Sequence, residues 1–434
     1  MRFHSADEFT RRELMIKMAK SAFGISLAPM LGNSVASAAD FVPNRPKAAK
    51  SVIFLMMSGG MSHLDTWDVK PGNDKVMGDT KIIDTSVTGI KLSENLPKTA
   101  KQMHHMVLMN GMSTNQGAHE QGQYLMQRSY TMRGTIVHPA IGSWVTRLAG
   151  KRNNNIPSFV SVSGDPALVN GGFMGAKYAG VPIGDPNSGL QDSTMPGSIS
   201  EEDFNKRLKL ADSLNKQFHT VVNSPAIRDH EGLYTDALRI MRCEDLKAFD
   251  LGKEPTEVKD AYGPSRFAQG CLLARRLVEH GVRFIEVSLG SWDTHVANFI
   301  NTPRLCDTLD TALAALVTDL ERRGMLDSTI VMWAGEFGRL PVSQGKDGRD
   351  HNRHAFSLWL AGGGFRRGYT HGATDDFGHK AVEKVATVYD FHATILHLLG
   401  IDHQRLTFYH NGVERRLTDV HGEGEFTDWL LGGR

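Results

Sequence analysis

The sequence is poor in cysteine. Its 434 residues contain three, Cys243, Cys271 and Cys306, and none of them belongs to a CxxC pair. This number excludes a disulfide framework and also a zinc site built from four cysteines. A chain of this length buries a substantial core without such support. The sequence therefore predicts a fold that is held together by its apolar core.

An excess of charge of either sign is also lacking. The 49 Lys and Arg residues are balanced by 48 Asp and Glu residues, which leaves a formal net charge of +1. Binding to a nucleic-acid backbone needs a clear cationic excess, so nucleic acid is not an expected partner. The composition, with 40% hydrophobic and 22% charged residues, is typical of a folded globular protein.

Two common enzyme motifs are missing. The chain has neither the GxSxG turn of the α/β-hydrolases nor the GxxxxGK(S/T) loop that binds nucleotide phosphates. Beyond the N-terminal region, no hydrophobic run reaches the roughly 20 residues that a membrane-spanning helix needs. These absences argue against both enzyme classes and against a transmembrane anchor.

The N-terminal segment has the order of features of an export signal. The pair Arg11-Arg12 precedes an apolar stretch at about Met18–Leu31, and the small residues Ala36-Ser37-Ala38 follow. This order predicts a twin-arginine signal peptide over residues 1–38 and a periplasmic or extracellular location. The alternative is an amphipathic helix that belongs to the fold.

The remaining chain, residues 39–434, is predicted to form a single α/β domain. Short apolar runs predict strands at Ser51–Met57, Met106–Asn110, Phe159–Val162, Val282–Ser288, Thr329–Trp333 and Ser357–Ala361. Helical patterns lie at Glu120–Ser129, Pro139–Ala149, Ser200–Asn223, Ser265–His280, Thr302–Arg323 and Val388–Leu399. This alternation predicts a mainly parallel central sheet sandwiched by helices. The polar stretch Gly164–Gly197 is predicted to be a long surface loop.

Acidic and histidine side chains follow the predicted strands. In open α/β sheets, ligands bind beyond the carboxyl ends of the strands. The candidate metal ligands at these ends are His63, Asp65, Asp293, His295, Glu336, Asp350 and His351. Carboxylate and imidazole together suit a divalent metal, with zinc, manganese and calcium as candidates and one or two ions as the number.

Each of these groups also has a structural interpretation. Asp293 and His295 suit a hydrogen-bonded turn, and Glu336 suits an ion pair with Arg339. The segment Gly348–His351 suits a solvated loop. The metal site is favoured because all the groups should converge on one edge of one sheet.

Motifs along nearly the whole chain resemble one family. They are the Arg11-Arg12 leader, Ser58–Asp68, His119–Met126, Gly142–Val145, Cys271–Phe284, Trp292–His295, Glu336–Arg339, Gly348–His351, Leu360–Gly364, Gly372–Gly378, His392–Gly400 and Leu417–Gly422. With these motifs the sequence resembles the exported proteins grouped as domain of unknown function 1501. That family is similar to the alkaline phosphatase/sulfatase superfamily, so the resemblance implies an alkaline-phosphatase-like fold.

The resemblance also implies one or two divalent metals and in-line attack on a phosphate or sulfate ester. The superfamily's first strand ends in a metal-binding Asp, where this chain has Gly59, and His63 or Asp65 is the candidate substitute. Asp293-x-His295 resembles a superfamily metal pair with a shorter spacing. Glu336-Phe337 stands where an adjacent Asp-His pair is usual. A later superfamily histidine is matched by His351.

The resemblance places the nucleophile near Ser113 and Thr114. No CxPxR or SxPxR signature is present, which argues against formylglycine chemistry. His119 is the candidate general acid or base. Arg339 or Arg349 would neutralise the anionic ester, and Asp350 would orient His351.

Two functions are therefore expected. The first is an exported metal-dependent hydrolase of phosphate or sulfate esters, with a small anionic ester or a glycan such as a polysaccharide as substrate. The alternative is a catalytically degenerate module that binds a glycan or a protein partner in the cell envelope. A phosphomutase-like or transferase-like activity on the same core is a weaker third interpretation.

Overall fold

The computed structural model describes residues 49–194, 197–221, 225–342, 347–419 and 421, with side chains described outside 216–231. These residues belong to one compact unit, Pro43–Arg434. The predicted signal peptide, residues 1–38, lies outside the described residues. The domain boundary at residue 39 therefore stays a prediction.

The described residues form sixteen strands and ten α-helices. The strands are β1 (Ser51–Met57), β2 (Ile82–Asp84), β3 (Lys91–Ser93), β4 (Met106–Met112), β5 (Phe159–Val162), β6 (Val181–Ile183), β7 (Phe284–Leu289), β8 (Thr329–Gly335), β9 (Gly338–Arg339), β10 (His351–Asn352), β11 (Phe356–Gly362), β12 (Tyr369–His371), β13 (Ala373–Thr374), β14 (Ala381–Glu383), β15 (Phe408–His410) and β16 (Val413–Arg415). The helices are α1 (Asp74–Met77), α2 (Pro97–Ala100), α3 (His119–Arg128), α4 (Ile141–Ala149), α5 (Glu201–Val221), α6 (Pro225–Met241), α7 (Thr256–Tyr262), α8 (Arg266–Glu279), α9 (Asn298–Arg322) and α10 (Val388–Leu398).

A central sheet of eight strands carries the fold. Its order is β12-β4-β11-β8-β1-β7-β5-β6. All neighbouring pairs are parallel except those made by β11, which runs antiparallel to both β4 and β8. The α/β class and the mainly parallel sheet are thus confirmed.

The stretch predicted to be a surface loop contributes a strand to the sheet. Within Gly164–Gly197, β6 pairs in parallel with β5 at the edge of the sheet. The surface-loop prediction is wrong at this point. A three-residue strand is too short to produce a periodic signal, and its sequence VPI contains a proline, which an edge strand tolerates.

The two faces of the sheet differ in what covers them. On one face, Ile53, Leu55 and Met57 of β1 join a large apolar cluster with helices α8 and α9. Each such fully buried side chain is worth about 1.5–3 kcal/mol relative to an exposed one. On the other face lie α3 and α4, where Gly142 lets α4 pack directly against the ring of Phe159.

Local signals fix the helix ends. The Ser265 hydroxyl caps α8 by accepting a hydrogen bond of 3.1 Å from the amide of Ala268. Gly281, with φ of 87°, follows the end of that helix. No helix among the described residues is long and apolar enough to cross a bilayer.

Candidate metal centre

Three histidines and one aspartate meet beyond the carboxyl ends of the central strands. His119 begins α3 after β4, and Asp293 and His295 follow β7. His351 lies in β10, which pairs with β9 so that His351 stands opposite Arg339. The convergence expected from the strand ends therefore occurs for these side chains.

The ring of His119 is oriented by Glu336. Its Nδ1 lies 2.8 Å from Glu336 Oε1, and a carboxylate oxygen accepts, so Nδ1 carries the proton. Its Nε2 lies 3.3 Å from Asp293 Oδ2 yet makes no hydrogen bond to any described residue. The hydrogen bond to Glu336 raises the pKa of His119, against the effect of partial burial.

His295 and His351 are oriented in the same way. His295 Nδ1 lies 2.9 Å from Asp350 Oδ1, and His351 Nδ1 lies 2.9 Å from the carbonyl of Gly117. The orienting contact of Asp350 is thus with His295, whereas the sequence predicted it for His351. Both partners accept, so both Nδ1 atoms carry protons in the neutral rings. The two Nε2 lone pairs then face each other across 3.0 Å. Burial lowers the pKa of His351, which favours its neutral ring.

Asp293 lies between these rings. Its Oδ1 is 3.2 Å from His295 Nε2 and 3.5 Å from His351 Nε2. Burial would raise the pKa of Asp293, but the Arg339 guanidinium at 2.6 Å lowers it to about 2. The group is therefore an anion at neutral pH, bound by the Arg339 guanidinium and adjacent to the Nε2 atoms of the three rings.

This arrangement fits a metal ion. Ligand atoms of His119, Asp293 and His351 all lie within 4.8 Å of one another. Nitrogen lone pairs that face each other repel unless a proton or a cation lies between them. A set of imidazole nitrogens and one carboxylate oxygen suits zinc or manganese, and carbonyl or carboxylate partners on Nδ1 are usual for metal-binding histidines.

Glu336 supports the centre through the hydrogen bonds of its carboxylate. Its side chain is buried, and Oε1 accepts from the amide of Gly59 at 2.9 Å and from Gln123 Nε2 at 3.2 Å. Gln123 also donates to Ser58 Oγ at 2.8 Å. The same Oε1 atom contacts His119 Nδ1, and the amide of Gly59 and Gln123 hold it in position. The carboxylate therefore orients His119. Its Oε2 has no hydrogen-bond partner among the described residues.

The structure explains why position 59, two residues after the end of β1, is a glycine. Gly59 has φ of 120°, and a Cβ at this position would lie 2.6 Å from the backbone nitrogen of Asp293. No side chain fits there without displacing that backbone. The carboxylate of the centre comes from Asp293, on the loop after β7.

Asp65 and Arg349 are paired with each other. Arg349 donates from Nε to Asp65 Oδ2 at 2.7 Å and from Nη2 to Oδ1 at 3.1 Å. Ser62, Thr80 and Asn298 also donate to the same carboxylate. Both members of the pair are buried. The structure therefore does not bring Asp65 or Arg349 into the cluster.

His63 is likewise directed elsewhere. Its side chain is buried, and Nε2 lies 2.8 Å from the carbonyl of Gly378. Burial lowers the pKa of this ring. Its contact is thus with the loop that precedes β14, and it does not join the three histidines.

The predicted nucleophiles lie on the loop between β4 and α3. The backbone amide of Ser113 donates to the carbonyl of Ala386, and that of Thr114 donates to the carbonyl of Arg353. Both side chains are half-buried. The same loop carries Gly117, whose carbonyl holds His351. The loop therefore borders the cluster, and the roles of the two hydroxyls stay predictions.

Arg339 is engaged through all three of its nitrogens. Nε donates to the carbonyl of Gly60 at 2.6 Å, Nη1 to that of Arg349 at 3.0 Å, and Nη2 to Asp293. The side chain is fully buried. The guanidinium thus fixes Asp293 to the β1 loop.

Sequence reasoning missed Gln123 and Gly117. Gln123 lies four residues after His119 on α3, so helical spacing places both on one face, and this spacing was the available signal. The contribution of Gly117 is a backbone carbonyl, which no residue type reveals.

The fold and the site together define a class: an α/β protein with a histidine-aspartate cluster, able to hold a metal ion, at the carboxyl edge of its sheet. Sequence comparison gives the family. The chain belongs to the family described as Protein of unknown function (DUF1501), whose model matches residues 49–425. The sequence matches no curated protein.

Solved structures similar to this chain are distant. They include Ps i-CgsB in complex with k-i-k-neocarrahexaose, at 11% identity and a TM-score of 0.39, over 81% of this chain and 72% of that one. The PsFucS1 sulfatase from Pseudoalteromonas sp. has 11% identity and a TM-score of 0.35, over 85% and 70%. The alkaline phosphatase from the Antarctic bacterium TAB5 has 11% identity and a TM-score of 0.33, over 81% and 99%.

Proposed function

We propose that the chain is an exported metal-dependent hydrolase of phosphate or sulfate esters. One observation carries the proposal: three histidines, each held through Nδ1, place their Nε2 atoms within 3.5 Å of the carboxylate of Asp293. In this proposal His119, Asp293, His295 and His351 hold a divalent metal, with zinc as the first candidate. Such a metal polarises an ester oxygen and lowers the pKa of the attacking group.

The chain's own residues then have separate tasks. Glu336, Asp350 and the carbonyl of Gly117 keep the three rings in the tautomer that presents Nε2. Arg339 keeps Asp293 ionised and fixed in position. In this assignment Glu336 and Asp350 are orienting groups, and Asp65, His63 and Arg349 serve the fold.

Recognition of the anionic ester is assigned to Arg353. Its side chain is exposed, and its Cδ would lie 3.8 Å from a Cβ on Gly117, beside the loop that holds His351. An exposed guanidinium can pair with phosphate or sulfate in a bidentate way. Ser113 or Thr114 on the same loop would provide the attacking hydroxyl.

The first test is the metal content of the protein purified without chelator or affinity metal. We expect about one equivalent of metal, lost in His351→Ala. The matched control is His354→Ala, which removes an exposed histidine three residues further on and should leave the metal in place. No metal in the wild-type chain, and none taken up on titration, would contradict the proposal and favour the binding-module alternative.

The second test is hydrolysis of p-nitrophenyl phosphate and p-nitrophenyl sulfate by the metal-loaded protein. Arg353→Ala should raise KM with a smaller effect on kcat. The double variant S113A/T114V should keep its metal and lose turnover at least 100-fold. Full activity in the double variant would exclude both hydroxyls as the attacking group.

Export is proposed from the N-terminal sequence alone. Replacing Arg11 and Arg12 by lysine in the full chain should retain the protein inside the cell, because twin-arginine transport reads the arginine pair. Secretion of the lysine variant at the wild-type level would contradict the proposed export. This result does not bear on the metal centre.

A further inference from the structure

Ser58 lies just beyond the carboxyl end of β1, between the segments that carry Glu336 and Asp293. β1 is flanked in the sheet by β8, which precedes Glu336, and by β7, which precedes Asp293. The carbonyl of Ser58 accepts from the amide of Trp292 at 3.2 Å. The amide of Gly59 donates to Glu336 Oε1 at 2.9 Å. The backbone at Ser58 is therefore held on both sides by the segments that build the metal centre.

The side chain of Ser58 faces α3. Successive residues of a strand point to opposite sides of the sheet, and Leu55 and Met57 belong to the apolar cluster on the side of α8 and α9. Ser58 consequently falls on the other side, where its Oγ lies 2.8 Å from Gln123 Nε2. Gln123 follows His119 by four residues on α3, so the two share one helix face.

The amide of Gln123 determines the direction of the Ser58 hydroxyl. Gln123 Nε2 lies 3.2 Å from Glu336 Oε1 and 2.8 Å from Ser58 Oγ. Glu336 Oε1 accepts, so the Gln123 atom that faces it is the amide nitrogen, and the second hydrogen of that nitrogen points to Ser58. Ser58 Oγ therefore accepts, and its own proton must point elsewhere. That proton has no acceptor among the described residues.

The hydroxyl is both close to the candidate centre and open to a ligand. Gln123 Nε2 alone bridges Ser58 Oγ and the Glu336 oxygen that contacts His119. The side chain of Ser58 is half-buried, so a molecule that enters from solvent can reach it. An oriented donor without an acceptor at this place suits an anionic oxygen, because hydrogen bonds to charged acceptors are the strong ones.

We propose that the Ser58 hydroxyl donates a hydrogen bond to a non-bridging oxygen of the phosphate or sulfate group, and that Gln123 is the positioning residue that directs it. This inference rests on the proposed function and adds a specificity-determining residue to it. A donor that is already oriented needs no rearrangement when the ester binds or reacts. The proton stays on Ser58, so this role is separate from that of the attacking hydroxyl.

The first test is anion binding by the metal-loaded full chain, measured by isothermal titration with inorganic phosphate and with sulfate. Ser58→Ala should keep its metal and bind each anion roughly tenfold or more weakly, because a hydrogen bond to a charged group is lost. Ser58→Thr keeps a hydroxyl and should restore binding. The matched control is Ser288→Ala. Ser288 is also half-buried, on the neighbouring strand β7, but it donates to Glu286, and its variant should bind as the wild type does.

A double-mutant cycle tests the role of Gln123. Gln123→Leu should weaken phosphate binding in the wild-type background and should have a much smaller effect in the Ser58→Ala background, since the two residues act as a unit. An equal effect in both backgrounds would show that Gln123 acts through Glu336 rather than through Ser58, and it would overturn the positioning role.

Turnover of p-nitrophenyl phosphate gives a second readout, in which Ser58→Ala should lose about 100-fold in kcat. Equal phosphate and sulfate affinity in the wild type and Ser58→Ala overturns this inference alone, because the metal content and the turnover of the wild type are measured independently. A metal-loaded wild type that binds neither anion overturns this inference together with the proposed function.

Discussion

Asp65, a candidate metal ligand in the sequence, is part of a buried ion pair in the structure. It lies in a run rich in His, Ser and Asp after β1, but its carboxylate is buried against the guanidinium of Arg349 with good geometry. A buried pair of this kind is costly to break, because removing one member leaves the other charge uncompensated. Its contribution is therefore to the fold rather than to metal binding.

Asp65→Ala should reduce the free energy of unfolding by about 3–5 kcal/mol, measured by urea denaturation. The folded fraction should keep its metal. The control is Asp84→Ala, which removes an 85% exposed carboxylate from its pair with Lys91 and should cost less than about 1 kcal/mol. Loss of metal from a stable Asp65→Ala protein would instead assign Asp65 to the metal centre.

At the scale of elements, α3 is the part of the fold that positions the centre. It carries His119 at its first residue and Gly122 one turn later. A Cβ on Gly122 would lie 3.1 Å from Cβ of Glu336 and 3.2 Å from the ring of Phe337. The helix therefore packs directly on the residues that follow β8, and this contact sets the distance between His119 and Glu336.

Gly122→Ala should weaken metal binding at least tenfold, because the added methyl moves α3 away from Glu336. Isothermal titration with zinc into the metal-free protein would measure the change. The matched control is Gly232→Ala in α6, where a Cβ meets nothing within 4 Å; it should leave affinity unchanged and stabilise the fold by up to about 1 kcal/mol. Equal affinity in both variants would show that the packing does not govern the site.

The β9–β10 pairing is the second positioning element. It places Arg339 opposite His351, although eleven residues separate them in the sequence. Through this pairing the motifs at Glu336–Arg339 and Gly348–His351 form one structure. Each motif could be recognised separately in the sequence, but their register could not.

At the scale of the whole molecule, buried histidines couple the fold to pH. His392 is fully buried, and burial lowers its pKa to about 3. A histidine whose pKa is lower in the folded than in the unfolded chain stabilises the fold above about pH 6.5. That stabilisation is lost as pH falls from 6.5 towards the folded-state value.

The free energy of unfolding should therefore decrease between pH 6 and pH 5, and this decrease should be smaller in His392→Leu by about 1 kcal/mol per pH unit. Urea denaturation at several pH values in this range would measure it. His104→Leu, which changes an exposed histidine, serves as the control and should keep the wild-type slope. Equal slopes in all three proteins would contradict the burial argument.

Metal removal should also act on the whole molecule. A ligand present at 100 times its Kd stabilises the folded state by about 2.7 kcal/mol. Chelation should therefore lower the Tm of the wild type by several degrees in differential scanning calorimetry. The Tm of His351→Ala should not respond to the chelator, and an equal response in both proteins would place the responsible metal elsewhere.

The sequence by itself determined the class of fold and the region of the candidate site. Apolar runs that end in glycine are sufficient to mark buried strands such as β1, and side chains placed just after parallel strands must meet at one edge. Asp293, His295 and His351 could be named on this basis. Glu336, which follows β8, and His119, which follows β4, could be named on the same basis.

Only the tertiary structure decided which of these side chains share a centre. Asp65 and His63 follow a strand as Asp293 does, but long-range partners, Arg349 and Gly378, direct them elsewhere. The tautomers of the three histidines depend on acceptors that are distant in sequence, and Gly59 depends on the approach of another backbone. Such contacts arise from packing between separate elements, and local sequence patterns do not encode them.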